Sequence, residues 1–206
     1  MRSIAAAKTA WALLRDVAQV FTGLPTYRLR GHAGASLALL NIGDLNHAYD
    51  ATWRLANVQV QQPARMEQYG VRTNDIVVTA RGTNLKIALI PERWNGAVLA
   101  WNLLGIRPGA QLRPELLLAY LRSPSGRRAI DRRLAGTTLL LLTASGLGEI
   151  EVPILPLERQ QKVGQLIAAA EEQYEHALLA AEMRRDIAHK IALDAMTGKG
   201  NSGENE

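Results

Sequence analysis

Cysteine is absent from this 206-residue chain. Disulfides and thiolate metal sites are therefore excluded, and the composition suits a reducing cytoplasm. Histidine is scarce and scattered (His32, His47, His176, His189), without the spacing of a zinc site. No metal or cofactor is expected. Long uncharged apolar runs are missing too. The first residues look superficially like a signal peptide, but Lys8, Arg15 and Asp16 interrupt them. No stretch approaches the ~20 apolar residues that span a membrane, so a cytoplasmic protein without membrane contact is expected.

Lysine is also rare where charge is concentrated. Residues 1–156 carry 18 Lys+Arg against 10 Asp+Glu, and 16 of the 18 are arginine. Residues 157–197 carry 5 against 7. Arginine presents a planar fork of donors that matches phosphates and guanine edges, whereas lysine is a point charge. An arginine-rich first part therefore points to a polyanion, most simply nucleic acid, although a GC-rich genome enriches arginine as well.

Proline is missing from the last part of the chain. All 8 prolines fall before Leu157, and residues 157–197 hold one glycine, Gly164. The segment reads as one helix, roughly 60 Å long at about 1.5 Å per residue. Within it Val163, Ile167, Ala170, Tyr174, Ala177, Ala181, Arg184, Ala188, Ile191 and Ala195 follow the alternating 4-and-3 spacing of a coiled-coil seam. Only Arg184 breaks the apolar run, and the alanines would admit a close partner helix. The flanks carry mixed charge, as solvated coiled-coil faces do. A helix folded back on its own domain is the alternative.

The preceding part reads as short elements. The spacing predicts a helix over 11–20, then strands over 35–41, 56–62, 75–80, 85–90 and 97–106. Strands 75–80 and 85–90 are joined by a hairpin-like loop, Arg81-Gly82-Thr83-Asn84. Pro114 opens a helix over 115–122, a second helix follows over 125–134, and 137–143 and 148–154 read as closing strands. The domains expected are 1–155, a helix over 156–197, and a polar, disordered tail over 198–206. The fold class is α/β, a mixed-sheet domain followed by one long C-terminal coiled-coil-type helix.

Several segments, in this order, resemble one family. They are "LLRDVAQVFTGLPTYR" (13–28), "VRTNDIVVTARGTNLKIALI" (71–90), "PELLLAYLRSPSGRRAI" (114–130) and "GTTLLLLTASGLGEIEVPILPLERQQKVGQLI" (136–167). Together they resemble the specificity subunits of type I restriction-modification systems. The resemblance implies a non-catalytic subunit whose target-recognition domain reads a short DNA half-site. It also implies a long helix that pairs antiparallel with a second copy, sets half-site spacing and docks adenine methyltransferase subunits. A motor-nuclease subunit joins in the restriction complex. Family members usually carry two recognition domains and two helices, and this chain has one of each. It resembles a half subunit, which would pair with itself or with a different half. A free-standing dimeric DNA-binding regulator and a coiled-coil scaffold are the alternatives.

Base reading needs donors and acceptors carried into a groove. The candidates are Arg28, Arg30 and His32, then Arg81, Thr83, Asn84 and Lys86. Arg127 and Arg128, with Arg132 and Arg133, would contact phosphates, which position the protein without specifying sequence. An ordinary hairpin and a solvated charged helix are the plain alternatives. Asn41, Asn46 and His47 are weaker candidates, since such residues make turns unaided. Trp53, Trp94 and Trp101 read as core or rim aromatics. The pairing candidates on the helix are Val163, Ile167, Ala170, Tyr174, Ala177, Ala181, Ala188 and Ile191. Asp75 with Asn84-Leu85-Lys86 faintly imitates a nuclease acid–acid-x-Lys pattern, but Asn84 stands where the second acid belongs. Neither a glycine-rich methyl-donor loop nor an Asn-Pro-Pro-aromatic motif occurs. No catalytic residue is expected.

Overall fold

The computed structural model describes residues 9–25, 35–48, 52–60, 63–135 and 140–197. The chain divides into two compact units, Met1–Ile167 and Ala168–Glu206. The architecture is α/β with mixed sheets, followed by one long C-terminal helix, as the sequence indicates.

Two strands form the centre of the first unit, β5 (Ile76–Thr79) and β9 (Leu103–Pro108). All four residues of β5, and Leu103 to Ile106 of β9, are buried. Strands covered on both faces lose the apolar–polar alternation that marks half-exposed ones. They pair antiparallel, with β2 (Ala18–Thr22) and β7 (Ile87–Leu89) as the outer strands of the order β2-β9-β5-β7. Because successive side chains point to opposite faces, parity sorts these residues into two cores. Ile76, Val78, Leu104 and Ile106 pack with Leu117, Leu121 and Ile130. These come from helices α2 (Pro114–Arg122) and α3 (Pro124–Asp131). Val77 and Leu103 pack instead with Leu40, Trp94 and Leu99.

The second core adjoins a three-stranded sheet of order β4-β3-β8, where β3 is Ala35–Leu40, β4 is Ala56–Val60 and β8 is Val98–Leu99. The β3–β4 pair is antiparallel and the β3–β8 pair parallel. Gly105 faces Phe21 across the β2–β9 ladder. A Cβ there would stand 2.2 Å from Phe21 Cζ, so the ring occupies the space a side chain would need.

A buried ion pair pins these strands. Asp75, immediately before β5, is 2% exposed. Its carboxylate accepts from Arg107 Nε at 3.0 Å, Arg107 Nη2 at 2.7 Å and the Arg72 backbone N–H at 2.7 Å. Arg107 Nη2 also donates to the Gly70 carbonyl at 3.0 Å. The turn before it places Asn74 at φ 69°, a left-handed conformation that asparagine tolerates better than most side chains.

The helix expected over 11–20 is replaced by β1 (Ala10–Leu13), a single turn α1 (Leu14–Val17), and β2. The reason is tertiary. β1 pairs antiparallel with β11 (Glu151–Ile154), far along the chain, and β2 pairs with β9. The expected strand over 97–106 is two strands broken at Trp101-Asn102, because β8 joins one sheet and β9 the other. The second helix ends at Asp131, with Arg132 as its C-cap. The expected strand over 148–154 begins only at Glu151. Before it a short turn, α4 (Ala144–Gly148), is capped by the Thr143 hydroxyl, which accepts from Gly146 N–H. Within 137–143 the described strand is β10 (Leu140–Leu141), and the tail 198–206 lies outside the described residues.

The helix α5 (Leu157–Thr197) begins within the first unit. Its anchor is Gln160, which is fully buried. Gln160 Oε1 accepts from the Arg113 N–H at 2.8 Å, and Nε2 donates to the carbonyls of Gln111 and Leu155, each at 2.8 Å. A buried amide with its partners met on both ends is a strong register device, since any shift orphans several polar groups at once.

Removing one member of a buried pair leaves an uncompensated charge. Arg107→Ala is expected to destabilise the chain by about 3 kcal/mol, read from urea unfolding. Arg107→Lys keeps the charge but not the two-pronged geometry, and falls between the two.

Candidate nucleic-acid interface

The hairpin between β5 and β7 emerges from the central sheet. Its base is closed by the Thr79 N–H donating to the Lys86 carbonyl at 3.0 Å and the Lys86 N–H donating to Thr79 Oγ1 at 3.1 Å. Its first arm, β6 (Arg81–Gly82), pairs antiparallel with β10. The Ala80 and Arg81 N–H groups both donate to the Asn102 carbonyl, at 2.9 and 3.2 Å. The Leu142 N–H donates to the Ala80 carbonyl at 2.8 Å. The backbone leading into the loop is thus held from two sides, while Arg81, Thr83 and Asn84 are exposed. The Arg81 guanidinium lies 5.5 Å from the centroid of the Trp101 ring.

The structure separates the candidates by what their side chains already touch. Arg81, Thr83 and Asn84 stand together on the hairpin, open to solvent. Lys86 is half-buried and its Nζ donates to the Ile42 carbonyl at 3.4 Å. Arg127 Nη1 donates to the Leu85 carbonyl at 2.9 Å. Arg122 donates to the Ile87 carbonyl through Nε and Nη2 at 3.2 and 2.9 Å. Two helix arginines therefore brace the return strand of the loop. Gly82 is half-buried, and its missing side chain faces Thr79 and Ile42, so its smallness serves packing beneath the loop.

Arg128 is exposed and lines an open cavity of about 930 Å³ with Trp11, Tyr120, Arg132, Arg133 and Glu149. Tyr120 there donates to the Glu151 carbonyl at 3.0 Å, and burial raises its phenol pKa, with Arg132 acting in the opposite sense. The hydroxyl therefore stays protonated as a donor at neutral pH.

Arg28, Arg30 and His32 lie outside the described residues. Asn41 and His47 belong to a turn. Asp44 accepts from the Asn41 N–H at 2.7 Å and from Trp53 Nε1 at 2.9 Å, and His47 stacks on Trp53 at 3.7 Å. Asn46 is exposed. Trp94 is buried and Trp53 half-buried, as core and rim aromatics would be, whereas Trp101 is 46% exposed. The nuclease-like pattern has no open carboxylate, because Arg107 and a backbone amide already occupy Asp75. Among the described residues no group of three acidic or histidine side chains is placed to hold a metal.

On α5, Val163 and Ile167 are half-buried within the first unit. Ala170, Tyr174, Ala177, Ala181, Ala188 and Ile191 are exposed. Sequence reasoning passed over two features. One is a line of large exposed apolar residues at four-residue spacing, Leu179, Met183, Ile187 and Ile191, which meets the seam at Ile191. Its signal was in the sequence, as an i, i+4 repeat beside the 4-and-3 one. The other is the Trp101-Asn102 turn beside the hairpin, hidden by an apolar run that reads as one strand.

No family model matches the chain, and no curated protein matches it. Solved structures do. One, reporting the structural basis of complex assembly and conformational transition of the type I R-M system, has a TM-score of 0.66 at 18% identity, covering 96% of this chain and 47% of that one. The HsdS subunit from Thermoanaerobacter tengcongensis has a TM-score of 0.58 at 18% identity, covering 96% and 51%. The type I restriction-modification S subunit from M. genitalium has a TM-score of 0.62 at 14% identity, covering 94% and 47%. The chain thus has the fold of these subunits and spans about half the length of each chain it matches.

Were Arg81 to meet a guanine edge through both prongs, its truncation would be felt at one base pair. Arg81→Ala should lose on the order of 1–3 kcal/mol on the right duplex and relax one base position. Arg127→Ala should instead lower thermal stability, because its guanidinium holds the Leu85 carbonyl. Competition binding and melting separate the two.

Proposed function

We propose that this chain is a DNA-recognition half subunit of a type I restriction-modification system. The observation that carries the reading is the match over nearly all of this chain to about half of each specificity-type chain. In this reading residues 1–155 form the target-recognition domain and 156–197 the pairing and spacer helix. The protein performs no bond chemistry. It places an adenine methyltransferase over a bipartite site and, in the restriction complex, a motor-nuclease subunit.

Recognition divides into two kinds of contact. Arg81, Thr83 and Asn84 offer donors and acceptors to base edges, and Arg28, Arg30 and His32 are proposed beside them. Exposed arginines such as Arg128 meet phosphates, which fix register without carrying sequence information. Two copies joined through α5 rebuild the missing half. A twofold axis between identical copies requires a palindromic, interrupted target, and unlike halves an asymmetric one. The seam from Ala170 to Ile191 is exposed and rich in alanine, which suits close approach of a second helix.

The decisive experiment maps methylated adenines across the source genome with and without this chain. Loss of methylation at one interrupted motif is expected. An unchanged map together with salt-sensitive duplex binding would favour a free-standing regulator instead, since phosphate contacts release counterions in either case.

The pairing is tested separately. Ala177→Glu combined with Ala181→Glu should convert a dimer to monomer in sedimentation while the melting transition of the first unit persists. An unchanged dimer would defeat pairing through this seam.

A further inference from the structure

The Trp101-Asn102 turn is the feature that the functional reading leaves unexplained. A tryptophan 46% exposed on a recognition domain leaves much of an apolar ring in water, and the ring does not belong to any of the buried clusters. Its neighbours indicate its use. The Asn102 carbonyl takes the N–H groups of both Ala80 and Arg81, so the turn carrying the indole is fastened to the residue whose side chain lies over that indole. We propose that Trp101 is a positioning residue for base reading, whose ring holds the Arg81 guanidinium in the pose from which it meets a base edge. The proposal rests on the hairpin being a DNA contact, as argued above.

The physical argument concerns what such a contact leaves free. Among the described residues Arg81 makes no ion pair and no side-chain hydrogen bond. A carboxylate partner would hold the guanidinium equally well, but would occupy the donors needed for a guanine edge and oppose the approach of phosphate. An aromatic face attracts the cation through its ring quadrupole and uses none of its N–H groups. All five donors of the fork stay available. The contact also reduces the freedom that a long, flexible side chain would otherwise lose on binding. With its backbone clamped between the Asn102 turn and β10, and its guanidinium resting on a ring, Arg81 is pre-organised at both ends.

The test is selection from a randomised duplex DNA library by the full-length chain and by Arg81→Ala, Trp101→Leu, Trp101→Phe and the Arg81→Ala/Trp101→Leu double variant. Thermal melts of each accompany it, and because the ring lies outside the buried clusters the Trp101 variants should keep the melting transition. The wild-type chain should enrich a motif, and Arg81→Ala should relax one position of it. Trp101→Leu should relax that same position, lowering its base preference about two- to five-fold, and Trp101→Phe should restore most of it. The double variant should be no worse there than Arg81→Ala alone, since the two residues act through one contact.

Relaxation by Arg81→Ala with the motif intact in Trp101→Leu overturns the proposal and leaves the hairpin reading standing. So does a Trp101→Leu loss spread evenly over all sequences, which would make the ring a backbone contact. A motif unchanged in Arg81→Ala, or no motif enriched by the wild-type chain, overturns the hairpin or DNA-recognition reading itself, and the proposal with it.

Discussion

Arg107 is the side chain on which the first unit most depends. From β9 it reaches β5 through the buried Asp75 carboxylate and the preceding loop through the Gly70 carbonyl. It reaches β2 through the face of Phe21, 5.1 Å from its guanidinium. A buried carboxylate is costly to leave without a hydrogen-bonded partner. The pairing therefore constrains three adjacent strands and the turn before β5 together. Phe21 can lie where it does only because Gly105 has no side chain to oppose it. One cation thus ties together three of the four strands of the sheet from which the hairpin projects.

The arginine surplus divides by task. Arg107, Arg122 and Arg127 spend their donors on a carboxylate or on backbone carbonyls, and two of them brace the strand that returns from the hairpin. Arg81 and Arg128 remain open to solvent. Composition alone counts these residues alike, although their chemistry in the fold is opposite. Only the open ones can serve the proposed contact with DNA, while Arg122 and Arg127 hold the return strand of the hairpin. A recognition loop on a braced hairpin loses less conformational freedom on binding than one on an unsupported segment.

Local patterns were sufficient wherever an element's environment was set by its own residues. The strands at Ala35–Leu40, Ala56–Val60 and Ile76–Thr79 and the helices opened by Pro114 and Leu157 all lie within the segments that turn residues and periodicity indicate. They failed between Trp11 and Val20, where spacing that suits a helix is drawn into two strands by partners far away in sequence. They failed again at Trp101-Asn102, where one apolar run serves two sheets. In both places the competing term is pairing with a distant strand, to which a window of neighbouring residues is blind.

Neighbouring residues suffice to specify the proline-free α5, its alternating apolar spacing, the arginine-rich first part and the polar hairpin between two apolar strands. Each follows from backbone propensity or charge, which are properties of neighbouring residues. Tertiary structure alone decided which arginines are braces and which stay open. It seated Gln160 beneath the first turn of α5, sealed Asp75 from solvent and set Trp101 beneath Arg81. Those outcomes depend on atoms brought together across long stretches of chain, and burial and pairing exist only once the sheet has closed.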